Sequence, residues 1–184
     1  MDVPHSSHGC PGPARARWVA SATPAGTAYL ARVSRQPLRG DPRVRYPCPM
    51  STGSGTRDDP WVLTTAPGSS DYTMSRDDDA DPAELVCRVG STTLRYDARA
   101  IDDLHAWLVA QGDWVPLSAA DELKPAADGS VEAFGRAADN PVGGWYGLRK
   151  GYRGRFGMYL PPLLEALGLV ELTHDKRNNQ VRAR

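Results

Sequence analysis

The stretch from Leu85 to Leu108 changes its hydrophobic period in mid-course, and that change limits the folds open to the chain. Leu85, Cys87 and Val89 fall on one side of an alternating run, with Arg88 on the other. Gly90-Ser91 then suits a two-residue hairpin turn with Gly at its first central position. Leu94 and Tyr96 resume the alternation, with Arg95 opposite. From there the spacing lengthens. Ile101, Leu104, His105 and Leu108 stand at i, i+3, i+4 and i+7, flanked by Trp107, which is one stripe of a helix. Asp97 is the expected N-cap and Gly112 the expected stop. Period two written twice and then 3.6 written once calls for an antiparallel hairpin with one apolar face and a helix to cover it.

The flanking residues extend this plan. Trp61 to Thr65 is a β-prone run closed by Pro67-Gly68, Tyr72 to Arg76 a second one, and Asp77 to Pro82 a turn. Together these make a meander. Residues 113–140 are less regular. Ser118 to Asp121 resembles a capping box for a short helix that stops before Pro125, and Ser130 to Arg136 another helical turn. Further on, Leu163, Leu164, Leu167 and Leu169 mark an apolar helix face beside the terminator Gly168. Val170 to Thr173 reads as a strand, His174 to Asn179 as a polar loop, and Gln180 to Arg184 as a return strand. Helix, strand, basic loop and strand in this order resemble the recognition helix and wing of winged-helix proteins. Pro161-Pro162 departs from that pattern, because proline inside a helix shortens or kinks it. The fold expected is α+β: a small antiparallel sheet covered by a helix, followed by a helical, winged-helix-like part over about 141–184.

The 184 residues carry 22 basic and 22 acidic side chains, a balance that hides three unlike segments. Residues 1–49 hold seven Arg, two acids and eight of the sixteen prolines, with neither period in their apolar residues. Such a composition buries too little surface to offset its ordering entropy, so 1–49 is expected to be disordered and 50–184 to form the compact domain. Three readings fit the extension: translation that begins at Met50, an Arg-rich transit peptide, or a basic nucleic-acid arm. It does not read as a secretory signal, because Pro24 and Gly26 break its apolar centre. Residues 50–140 carry seven basic and seventeen acidic groups, and residues 141–184 eight and three. The basic end should attract polyanions.

The residues that carry chemistry concentrate in that basic end. Between Trp145 and Tyr159, Arg149, Lys150, Arg153 and Arg155 alternate with Trp145, Tyr146, Tyr152, Phe156 and Tyr159, among glycines three or four apart. Arg and Lys neutralise phosphates, aromatic faces stack on bases, and Gly lets backbone N–H groups approach. Lys176, Arg177 and Arg182 form a second basic group in and beside the wing-like loop. A nucleic-acid surface is therefore expected from Arg149, Lys150, Tyr152, Arg153, Arg155, Lys176, Arg177 and Arg182, with DNA or RNA as partner. The alternative is a protein partner or a homodimer, with Trp145, Tyr146, Phe156 and Tyr159 as interface anchors. A glycine-rich structural connector with a solvated basic face is the plainer reading of the same stretch. A third option is an enzyme using a pocket with Asp58, Asp59 and the arginines.

Other signals are weaker. Asp77, Asp79 and Asp81 fit the first calcium-ligand positions of an EF-hand loop, but Pro82 and Arg88 stand where Gly and Glu are needed. Lys150 is followed by Gly151, which excludes a Walker A loop. His174 beside Asp175 lacks a nucleophile elbow. His105 and Cys87 read as packed residues, and Glu165 as an exposed helix residue. Three scattered cysteines give no metal motif or disulfide framework. No run of about 18 apolar residues exists to span a membrane. The expectation is a cytoplasmic protein with no cofactor, no metal and no membrane partner.

Two longer motifs, Gly55-Thr-Arg-Asp-Asp-Pro-Trp61 and the run from Gly143-Gly-Trp-Tyr to Arg-Phe-Gly157, are similar to those of an uncharacterised bacterial domain family, frequent in actinobacteria. The resemblance spans roughly Gly53 to Arg182. It implies a domain starting near Met50 and brings no activity with it.

Overall fold

The computed structural model describes residues 53–184, so the expectations for residues 1–49, Cys10 and Cys48 included, lie outside the described residues. Four strands, β1 (Trp61–Thr64), β2 (Asp71–Asp77), β3 (Glu84–Val89) and β4 (Thr92–Asp97), form an antiparallel meander in chain order. Cys87 pairs with Met74 on one side and Leu94 on the other, so the expected apolar face is continuous from β2 to β4. Burial of that face raises the Cys87 thiol far above its ordinary range and leaves it inert.

Helix α1 (Ala100–Gln111) ends at Gly112, whose left-handed backbone lets its N–H bond Leu108 O, as the sequence indicates. Its start differs. Asp97 accepts from the Arg99 N–H at 2.9 Å and so shapes the turn before the helix, while α1 itself has no side-chain cap. A second, three-stranded antiparallel sheet sets β7 (Gln180–Ala183) between β5 (Val115–Pro116) and β6 (Val170–Leu172). Ser130 caps the short α2 (Val131–Phe134) through its hydroxyl. The helix expected after Ser118 does not form. Ser118 adopts a left-handed backbone, and its hydroxyl accepts from the Ala127 N–H instead.

The main correction concerns which helix covers the meander. It is α3 (Phe156–Ala166), which lies against β1, β6, α1 and α2, whereas α1 packs on β7 and α3. Composition explains the difference. Helix α1 buries one side only, through Ala100, Ile101, Leu104 and Leu108. Helix α3 buries Phe156, Tyr159, Leu160, Pro161, Pro162, Leu163 and Leu164, which occupy every side of it. A helix apolar all round belongs between layers. The prolines do not break α3, which runs continuously from Phe156 to Ala166. Each fully buried leucine there contributes about 1.5–3 kcal/mol.

The same burial corrects the winged-helix expectation. A recognition helix must offer a face to a groove, and α3 has none. The C-terminal part is one enclosed helix and a hairpin joined by β5, so it is as much strand as helix. The α+β class stands. Among the described residues no helix is long and apolar enough to cross a membrane.

Candidate functional site

The stretch from Trp145 to Tyr159 was expected to form one basic, aromatic face, and its backbone shows why its residues do not all share one surface. Asn140 holds the entry turn, donating to Phe134 O and Gly144 O and accepting from the Val142 and Gly144 N–H groups. Tyr146 O then accepts from the Asp97 N–H, and the Leu148 N–H donates to Arg95 O, so this short segment extends the edge of β4. Gly154 packs on the segment from Ala120 to Glu122; a Cβ there would lie 2.4 Å from Glu122 N. The connector reading therefore explains the backbone of the stretch.

The side chains divide into three groups. Tyr146 and Phe156 are fully buried and Tyr159 nearly so, which removes all three from any surface interface. Tyr146 stacks between Phe134 and Phe156, and its hydroxyl donates to Asp103 at 2.9 Å. Burial, and then the Asp103 carboxylate, push that phenol well above its usual range. Trp145 is half-buried beneath the Arg136 guanidinium, 4.7 Å from its ring. One arginine is spent on a local partner and another is partly enclosed. Arg155 donates to Asp121, and this bond holds the Asp121 carboxyl below its ordinary range. Arg153 is half-buried, with its Nε enclosed and without a hydrogen-bond partner. Only Arg149, Lys150 and Tyr152 stand open at the loop tip, the Arg149 guanidinium 4.3 Å over the Tyr152 ring.

Lys150 and Tyr152 border a cleft of about 780 Å³ between loop 148–155 and the segment 121–124. Leu94, Val89 and Tyr159 line its apolar side, and Asp121, Glu122, Lys124, Lys150 and Arg155 its polar side. Leu123 stands at its edge and is 98% exposed, the most exposed large apolar side chain among the described residues. Cavities of this size and polarity are typical of ligand sites. Nothing in the local pattern marked Leu123, because its exposure comes from the failure of the expected helix after Ser118.

The second basic group lies elsewhere. Lys176 and Arg177 are exposed beside a separate cleft of about 570 Å³ that Leu117 and Met158 also line. Arg182 is committed to Glu171 across the β6–β7 pair and to the Trp114 ring, 4.8 Å away. Of the eight residues expected to form one nucleic-acid surface, five thus line two separate clefts, and Arg155 and Arg182 are held in ion pairs. Residues 53–184 also carry fifteen basic against twenty acidic groups, a balance unfavourable to polyanions.

His174 ties down the loop between β6 and β7. Its Nε2 meets Glu165 at 2.7 Å and its Nδ1 meets Ala66 O at 3.1 Å. Glu165 also accepts from the Leu172 N–H, so it is a half-buried tie where an exposed helix residue was expected. Neither ring nitrogen of His174 faces a hydroxyl or thiol. Asp59, an enzyme candidate, closes its own loop by accepting from the Ser54 N–H. Among the described residues no group of three His, Cys, Asp or Glu could hold a metal ion.

The sequence reading missed the most connected polar group. Glu132, fully buried, accepts from Arg136 and from the Gly157 N–H at the start of α3. Arg136 also donates to the carbonyls of Ala120, Asp121 and Lys124. Desolvation raises the Glu132 carboxyl above its ordinary range, opposed by these donors. Two opposite charges four residues apart were a legible signal.

Compared with known proteins, residues 53–184 match the model of one family, described as a family of unknown function (DUF6855). No curated protein and no solved structure matches the chain.

Proposed function

Because the chain belongs to DUF6855, a family that supplies a fold boundary and no activity, we propose from the cleft alone that the domain is a protein-interaction module. Its working surface is the cleft between loop 148–155 and residues 121–124. The occupant is a partner segment with an apolar side chain for the Leu94–Tyr159 wall and an acidic flank for Lys150. One observation carries this reading: Leu123 stands almost wholly in solvent beside a largely apolar cleft, with Lys150 at its border in no ion pair among the described residues. Tyr152 and Arg149 at the same edge are residue types that anchor interfaces.

A second reading, single-stranded nucleic acid, rests on the exposed Arg149–Tyr152 stack beside Lys150. Aromatic faces and cations of this kind hold unpaired bases and their phosphates. It is the narrower remnant of the basic surface expected from the sequence.

Fluorescence anisotropy of residues 50–184 separates the two. The probes are a pool of short peptides with a leucine flanked by aspartates and a random single-stranded oligonucleotide. Peptide binding that Leu123→Asp and Lys150→Glu both weaken supports the module. Oligonucleotide binding that falls steeply with salt and is lost in Lys150→Glu, with no peptide binding, overturns it in favour of the second reading.

A further inference from the structure

We propose that the outer face of the meander carries an oxyanion site, built by Arg57, Arg88 and Arg95 over Ser75, and that it takes the phosphate group of a small ligand. These three arginines and Ser75 line a pocket of about 310 Å³ on the side of the sheet away from α3. They come from four places: the loop before β1, and strands β2, β3 and β4. The site is separate from the cleft assigned above and shares no residue with it.

The pocket is more basic than the domain that holds it. Asp77 is the one acid that lines it, 3.2 Å from Arg57 and 4.0 Å from Arg95. Glu84 and Asp78, outside it, take one contact each from Arg95 and Arg76. Arg88 is in no ion pair among the described residues. Each guanidinium presents five donors in a planar fork, so those with a carboxylate partner still have N–H groups to spend on a phosphate. Ser75 is 4% exposed, and its hydroxyl makes no hydrogen bond to any described residue, which leaves it as a neutral donor on the pocket wall.

The loop before β1 is built to deliver Arg57. Within Gly55-Thr-Arg-Asp-Asp-Pro-Trp61, Thr56 Oγ1 accepts from the Asp59 N–H, and the Gly55 N–H donates to Asp59 O. Gly55 O accepts from the Arg76 N–H, which fixes the loop to β2. Gly55 also lies under the Trp61 indole, where a Cβ would come within 2.1 Å of the ring. Thr56, Asp59, Gly55 and Trp61 are thus consumed in holding the turn. Arg57 is not, and it is the residue the turn sets over the pocket.

The test is isothermal titration of residues 50–184 with inorganic phosphate and with pyrophosphate, at ionic strength matched with chloride. Arg57→Ala, Arg88→Ala and the control Arg184→Ala, an exposed residue outside both sites, are run in parallel, with circular dichroism to confirm that each folds. The expected result is saturable phosphate binding, weakened about tenfold or more in the Arg57 and Arg88 variants and unchanged in Arg184→Ala. Ser75→Ala, which keeps every charge, should weaken it less. Heat no different from chloride overturns the site. So does binding that survives Arg88→Ala in a folded protein. An oligonucleotide lacking terminal phosphates is the last arm. If it binds as tightly as pyrophosphate, the site reads a phosphodiester backbone and the small-ligand assignment fails.

Discussion

Arg136 and Glu132 are a buried pair four residues apart, with Arg136 Nε 2.9 Å from Glu132 Oε1. The pair joins three stretches of chain that have no regular structure in common. Glu132 grips the first turn of α3 through the Gly157 N–H, and Arg136 gathers the carbonyls of Ala120, Asp121 and Lys124. The wall of the 780 Å³ cleft therefore rests on two side chains behind it.

Glu132→Ala should cost about 3–5 kcal/mol, because it removes the carboxylate partner of the largely enclosed Arg136 guanidinium and orphans the Gly157 N–H. Glu132→Gln retains an acceptor and should cost less. Urea unfolding of the two variants gives the order directly. Equal losses would show that the charge, and not the hydrogen bonds, is what the fold needs.

The same carboxyl gives the stability a pH dependence. Burial lifts it above its ordinary 4.5, so the folded chain holds this proton more tightly than the unfolded chain does. Its contribution is complete below 4.5 and is lost as pH rises through the higher folded value. Asp121 acts in the opposite sense, since Arg155 lowers its carboxyl, and its contribution fades only as pH falls below 3.8. Urea midpoints taken at intervals from pH 4 to 7 should fall for the wild type relative to Glu132→Gln. A constant gap between them would show that Glu132 titrates alike in both states.

Gly154→Ala should lose about 1–3 kcal/mol, because its Cβ would meet the backbone of residues 120–122 and no flexible side chain can yield. Thermal unfolding measures the loss. Peptide binding in the cleft should weaken with it, since the two walls would be forced apart.

Tyr146→Phe removes a hydroxyl whose acceptor is the Asp103 carboxylate, and should cost about 1.5–3 kcal/mol. Its elution on gel filtration should not change at any protein concentration. A change would return Tyr146 to the interface role that its burial denies it.

The meander, α1, the helical turn after Ser130 and the β6–β7 hairpin were legible in the sequence because each follows from a local period or a turn residue. The position of α3 was not. Leu163, Leu164 and Leu167 suggest a one-sided helix, and only Phe156, Tyr159 and Leu160 reveal that it is apolar all round. Phe156 and Tyr159 had been read as part of a binding stretch. The site was harder. Alternating arginines and aromatics look like one surface, yet Tyr146 and Phe156 turn inward while Arg155 and Arg182 each find an acid from a distant segment. Partners far apart in sequence decide which cations stay free. Leu123 and the Arg57 loop owe their settings to the same kind of contact.

The place of β7 between β5 and β6 has a consequence for how the chain is made. Both neighbours are synthesised first, and neither bonds to the other. Until residues 180–183 are free of the ribosome, β5 and β6 lack the strand that joins them and the face of α1 that rests on β7 stays uncovered. Closure of this sheet is therefore expected to wait for β7. Losing this last strand would open the middle of a sheet and not trim an edge.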